Sequence, residues 1–393
     1  MTKAAHSPSS FGSRVAEAVQ TLTPGYFALT MASGIISVGL ELEGFHALSS
    51  ALLVICAASY AVILVVSLVR LVRFREDMRR DFMNPARAFG SFTFIAGTNV
   101  LGVRLGMMGW PGATALLLVV AVLAWVVLGY VVPWTAVLGR DERPVVKDAN
   151  GTWFIWCVAS RSVAVAAASV EPLAGPEWRA TLALVAVVAW SVGLILYAAV
   201  GIFVSLRLMT YPIRPEDLRP QYFVAMGAMA ISVLAGARIV EMAGAPMVDA
   251  TRGLVAGSSV VFWAFASWLF PVFLAAGWWR HVIHRVPLAF EPGLWSVIFP
   301  LGMYAVAGIY LGRADRLPIV AFYRPRRAMG GCPSVPRHLR RDALAPVGHA
   351  RAPRPAAPSS GHGSAGSGCR DARPSGTRNV GTPDEGTLTA RSS

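Results

Sequence analysis

Phe89-Gly-Ser-Phe-Thr-Phe94 and Gly97-Thr-Asn-Val-Leu-Gly102, followed by Ala113-Thr-Ala-Leu-Leu-Leu-Val-Val-Ala-Val-Leu-Ala-Trp125, decide the fold. Each belongs to a run of membrane length, 88–108 and 113–138. The first is built from Gly, Ser, Thr and aromatic residues, the second from Leu, Val and Ala. Leu and Val sit well against lipid, whereas small residues let helix backbones approach closely or leave room beside them. The pairing occurs five times, with the last Leu/Val partner missing. The other small-residue members are Pro24-Gly-Tyr-Phe27…Ala32-Ser-Gly-Ile-Ile-Ser37, Gly151-Thr-Trp-Phe154…Ala159-Ser-Arg-Ser162, Tyr222-Phe-Val-Ala-Met-Gly-Ala-Met-Ala-Ile-Ser232 and Pro292-Gly-Leu-Trp295…Phe299-Pro-Leu-Gly-Met-Tyr304. They recur every roughly 60–75 residues, the length of two spans and their loops at ~20 residues per span. The alternation predicts an all-α polytopic membrane protein in which odd helices form an inner ring around a path and even helices form an outer ring.

Composition agrees. The chain is 55% hydrophobic and 14% charged, with a mean hydropathy of +0.55; a soluble domain carries about 25% charged residues. Nine spans are predicted, at 24–41, 48–70, 88–108, 113–138, 153–170, 180–205, 222–240, 254–279 and 293–312. The first 22 residues are polar and no cleavable signal peptide is evident. Arginines crowd alternate loops: Arg70, Arg73, Arg75, Arg79, Arg80 and Arg87, then Arg140, Arg143 and Lys147, then Arg207, Arg214 and Arg219, then Arg280 and Arg285. The positive-inside rule therefore places residues 1–22 in the cytoplasm and sends odd helices outward across the cell membrane. Cys56 and Cys157 lie inside spans as small apolar residues, and Cys332 and Cys369 lie in the tail. His281 and His284 share helical spacing but have no second ligand pair, so neither a metal nor a cofactor is expected. Nor is nucleic acid an expected partner.

The membrane domain spans 23–320, and composition changes abruptly after it. Residues 324–393 carry twelve Arg and no Lys among abundant Pro, Gly, Ala and Ser, a mixture that cannot bury enough apolar surface to order itself. One reading is a basic tail that binds lipid headgroups. Against it, nine spans would place a basic tail outside, and the fifth hairpin lacks its second helix. The whole chain uses Lys only at Lys3 and Lys147, as a GC-rich gene does, and such a gene read out of frame gives Arg/Pro/Ala/Gly-rich text. The alternative is a frameshift near 320–326 that removes a tenth apolar helix; a nucleotide sequence with no long apolar stretch in either other frame rules it out.

Ionisable residues inside spans are costly and mark candidate functional positions. Arg161, in Val158-Ala-Ser-Arg-Ser-Val163, either faces the path and attracts anions, or pairs within the bundle or snorkels. Arg104 and Arg238 lie near the outer ends of their spans; snorkelling is favoured over an outer positive vestibule, and Glu241 is placed to pair with Arg238 on one helical face. Gly97, Thr98 and Asn99 in mid-span, with Ser33 and Gly227, either line a wet lumen or bond neighbouring helices. Pro300 frees the carbonyl of Ser296 and kinks the ninth span, and Phe299 beside it either plugs the path or simply packs.

Taken together, Pro24…Ser37, Gly97-Thr-Asn-Val-Leu-Gly102, Asn150-Gly-Thr-Trp-Phe-Ile-Trp156, Ala225-Met-Gly-Ala-Met-Ala-Ile-Ser232 and Pro292…Tyr304 resemble the tellurite-resistance/C4-dicarboxylate transporter (TehA-like) family, related to plant slow anion channels. The resemblance covers about 22–320. It implies ten helices in five hairpins, a pore in each subunit of a homotrimer, occlusion by a Phe on the ninth helix at the position of Phe299, and passage of malate and other dicarboxylates, sulfite, nitrate or chloride, or export linked to tellurite resistance. Two departures stand out: the tenth helix is absent, and Arg161 occupies a place where that family is expected to have a neutral polar residue.

Three function classes compete. An anion channel or uniporter fits a lumen without carboxylates, since the odd helices carry no mid-span Asp or Glu. A membrane enzyme acting on lipid-like substrates needs clustered acids or histidines at one membrane face, for which Arg140-Asp-Glu-Arg-Pro144 is the one candidate. A sensor would use the tail to reach a soluble partner. Within transport, a proton-coupled dicarboxylate carrier would call for an intramembrane carboxylate.

Overall fold

A computed structural model describes residues 11–243 and 245–315. The 324–393 segment, with its two alternative origins, lies outside the described residues. Among the described residues nine long helices follow one another: α1 (Ala28–Leu42), α2 (His46–Arg73), α3 (Thr93–Met107), α4 (Pro111–Pro133), α5 (Phe154–Val170), α6 (Pro176–Thr210), α7 (Val224–Val240), α8 (Pro246–Trp278) and α9 (Trp295–Asp315). Each odd helix is entered through a short 3₁₀ turn: Pro24–Phe27, Phe89–Phe92, Gly151–Trp153, Pro220–Phe223 and Pro292–Leu294. Proline suits the first turn because its missing N–H has no intrahelical partner there and its φ is already helical; α4, α6 and α8 also open on proline.

The odd helices close a ring. α1 touches α3, α3 touches α5, α5 touches α7, α7 touches α9, and α9 returns to α1; the five 3₁₀ turns at their amino-terminal ends touch in the same cyclic order. The five inner helices therefore run parallel. Each even helix packs mainly on the odd helix before it: α2 on α1, α4 on α3, α6 on α5 and α8 on α7. Burial follows. The most apolar stretches of the α5 and α7 segments are 89% and 83% buried, against 22%, 17% and 11% for α2, α4 and α8. The α9 segment reaches only 39%, because among the described residues no even helix follows it to cover its outer side.

Glycines set the inner spacing. A Cβ on Gly34 would stand 2.5 Å from Val100 Cγ1, and one on Gly227 would stand 2.9–3.1 Å from three atoms of Pro300. Helices α1 and α3, and α7 and α9, thus meet backbone against side chain, the close approach that small residues permit.

Among the described residues, eight segments are long and apolar enough to cross a membrane, one fewer than the nine spans predicted. The segment not counted, Phe89–Met107, is diluted by Thr93, Thr98, Asn99 and Arg104, yet it holds the second place in the ring. The arginine-rich loop after α2 is partly consumed by structure. Asp81, in the short helix Arg75–Met83, receives Arg70 Nη2 at 2.7 Å and Arg87 Nη1 at 3.0 Å, and Arg70 Nε donates to the carbonyl of Gln20 at 3.1 Å.

Gly227→Val is expected to destabilise the protein by about 1–3 kcal/mol, the usual cost of overpacking. Gly129→Val, at a position with nothing within 4 Å of a new Cβ, is expected to stay within about 0.5 kcal/mol of wild type. Thermal unfolding of the two variants in one detergent checks the contrast.

Candidate anion path

All five inner helices contribute to a single central cavity. Its lining comes from Ile35 and Val38 of α1; Asn99, Val100 and Val103 of α3; Ser162, Val165 and Ser169 of α5; Ile231, Leu234 and Arg238 of α7; and Met303 and Tyr310 of α9. The intervals of three, four and seven residues are those of one helical face. The cavity lies in the carboxyl-terminal halves of the inner helices and measures about 30 Å³, room for one or two waters but not for a dicarboxylate.

Continuing each stripe one turn towards the amino-terminal ends reaches Met31, Ile95, Val158, Gly227 and Phe299. All five are buried, Phe299 to 1% exposure. The cavity thus ends on an apolar layer, and Pro300 is seated against Gly227 at that level. Phe299 supplies the largest side chain of the layer and Gly227 the smallest.

The polar lining is sparse. Asn99 Nδ2 donates to Ser162 Oγ at 2.9 Å, and Ser162 donates in turn to the carbonyl of Ala159 at 2.7 Å. Arg238 is the one charged lining residue, held by Glu241 at 3.1 Å, the pairing read from their spacing, and stacked 5.6 Å from the Tyr310 ring centroid. Among the described residues no carboxylate lines the cavity.

The model of the voltage-dependent anion channel family (SLAC1) matches residues 21–325. The chain belongs to this family. The TehA-like resemblance read from the sequence is consistent with that membership. Over 125 residues the chain is also 65% identical to an uncharacterized membrane protein of Mycobacterium tuberculosis strain CDC 1551 / Oshkosh, and equally to one of strain ATCC 25618 / H37Rv. Each alignment covers 32% of this chain and 64% of the relative, so the chain spans less than two thirds of the length of either.

Several candidate residues of this anion-channel family member stand elsewhere than a lumen-lining role requires. Ser33 donates to the carbonyl of Leu29 at 2.8 Å, Thr98 to that of Phe94 at 2.7 Å, and Thr98 also shares a 3.0 Å hydrogen bond with the Tyr60 hydroxyl of α2. Gly97 faces the Phe27 carbonyl and Thr30. Of the polar mid-span run on α3, Asn99 alone turns to the cavity. Ser162, Ser169, Met303 and Tyr310 line it although the sequence reading did not single them out; the signal was their spacing relative to neighbours on the same face.

Arg161 is the clearest correction. Successive helical residues are about 100° apart, so with Ser162 facing the cavity Arg161 points behind the wall. Nη1 donates to the Ala228 carbonyl at 2.6 Å, and the guanidinium lies over Tyr197 and Phe262, 5.5 and 5.8 Å from their ring centroids. It is fully buried and does not snorkel, and among the described residues it has no salt bridge and its Nε and Nη2 have no partner. A desolvated ring face contributes about 2 kcal/mol, whereas burying an ion costs several kcal/mol even after relaxation.

Arg104 does not snorkel either. It is 2% exposed and gathers three helices: Nη2 reaches Glu41 Oε2 at 2.7 Å and Ser49 Oγ at 2.9 Å, and Nε reaches Ser37 Oγ at 3.0 Å. Ser37 and Ser49 also donate to one another's carbonyls at 2.7 Å. This ion pair, buried on its arginine side, joins α1, α2 and α3, which a snorkelling arginine or an open vestibule would not do. Arg104→Met is expected to cost about 1–3 kcal/mol, because the buried Ser37 and Ser49 hydroxyls lose their shared donor while Glu41 keeps its contact with His46, and Arg104→Met with Glu41→Gln to recover part of it. Denaturation of the single and double variants checks this.

Proposed function

We propose that this chain lets small anions cross the cell membrane passively, through the path enclosed by α1, α3, α5, α7 and α9, with Phe299 as the plug and the adjoining Pro300 as the point about which it moves. Family membership and the closed inner ring support transport. The observation that carries the anion reading is the lining itself: one arginine, no carboxylate and otherwise neutral side chains, a field that admits anions and offers no proton relay. The substrate class is inorganic or dicarboxylate anions such as chloride, nitrate, sulfite or malate, with tellurite resistance as an associated phenotype. The orientation that goes with it puts the amino terminus in the cytoplasm, and the assembly is a homotrimer with one path per subunit. In the loop that the enzyme reading would need, Arg140 pairs with Glu142 and with Asp148 just beyond it.

Two measurements test the proposal. In proteoliposomes loaded with chloride, nitrate or malate, Phe299→Ala is expected to raise anion flux about tenfold or more, the equivalent of about 1.4 kcal/mol off the barrier; unchanged or reduced flux in the folded variant removes Phe299 as the plug. Arg238→Gln is expected to lower flux severalfold at low salt, with the difference shrinking as ionic strength rises and screens the charge. Flux driven by a pH gradient alone would contradict passive movement.

A further inference from the structure

Arg161 is a cation that proteins do not deprotonate, it is fully buried, and among the described residues no carboxylate pairs with it. Its one hydrogen bond uses Nη1. The two nitrogens left over, Nε and Nη2, form one edge of the guanidinium. Their N–H bonds point the same way, the fork that grips an anion side-on. Helix α6 packs closely against the Arg161 side chain. Gly193 of α6 stands beside it without a side chain; a Cβ there would lie 2.8 Å from Arg161 Cγ and 3.2 Å from Nε. Ser160, whose Cβ lies next to the same glycine, accepts from Trp125 Nε1 of α4 at 2.8 Å. Phe262 and Tyr197 cover the guanidinium faces.

We propose that a halide-sized monovalent anion resides behind the lumen wall, gripped by the Nε/Nη2 edge of Arg161 between α5, α6, α7 and α8. One charge neutralises one charge. This site is separate from the path, since Ser162, not Arg161, faces the cavity, and it does not depend on the transport reading. Its structural consequence runs through Nη1. The Ala228 carbonyl that Arg161 holds adjoins Gly227, on which Pro300 rests. The resident ion thus keeps α5 and α7 in register beside the Phe299 layer.

The test is bromide. Wild-type crystals grown in bromide are expected to show an anomalous peak beside Nε and Nη2 of Arg161. At constant ionic strength, the unfolding midpoint in bromide is expected to exceed that in gluconate by roughly 5 °C, as for a ligand that binds only the folded state. Arg161→Lys, which keeps charge but loses the fork, is expected to weaken the shift, and Arg161→Gln to abolish it. No peak at Arg161, or a peak only in the lumen near Arg238, together with equal midpoints in the two salts, overturns the proposal. Should Arg161→Gln fail to fold, the wild-type peak and salt comparison decide alone. Flux through the lumen is a separate readout, so loss of this site leaves the transport proposal standing.

Discussion

Helix backbones in a membrane come close only where side chains are small, and the rest of this structure depends on that constraint. Gly34 against Val100 and Gly227 against Pro300 are contacts that a methyl group would break. Once α1, α3, α5, α7 and α9 approach in this way, they close on themselves, and their 3₁₀ turns close with them. Helices that cannot approach so nearly, built of Leu and Val, are left outside against lipid. The cavity is what remains at the centre when five such helices are too many to meet at one axis and too narrow-faced to leave a wide channel.

Charge is distributed by the same geometry. Arg104 and Arg161 are both hidden, but their solutions differ. Arg104 finds Glu41 and two serines, so it fastens three helices at the carboxyl-terminal end of the inner ring. Arg161 finds a carbonyl and two rings, and keeps an unused fork. Among the described residues Arg238 alone brings its charge to the cavity, tempered by Glu241 and Tyr310. The cavity is therefore weakly positive at its Arg238 end, and the layer that includes Phe299 is apolar.

The ring was legible in the sequence because lipid and close packing select on whole segments: Phe89–Gly102 and Ala113–Trp125 differ over every turn. Individual facing was less legible. In a helix such as α5, where nearly every residue is buried, no polar side announces which direction is the lumen, so Arg161 drew attention while Ser162, one residue on, held the lining position. Asn99 was singled out and does line the cavity, whereas Thr98 and Gly97 beside it turn to α2 and α1. The partner of Arg104 was hidden by distance along the chain, since Glu41 lies 63 residues earlier and no local pattern links them.

The proposed path requires the small-residue helices to share an aqueous face. Single cysteines at Ser169, Val165 and Ser162 should sample that face at successive depths, and a cysteine at Ser160 should not, in a background whose four native cysteines are replaced by serine. Labelling by a small, membrane-impermeant thiol reagent is predicted to fall in the order Ser169, Val165, Ser162, to leave Ser160 unmodified, and to block flux wherever it occurs. Equal labelling at Ser160 and Ser162, or none at any of the four positions in folded protein, would contradict an aqueous conduit at the centre of the ring.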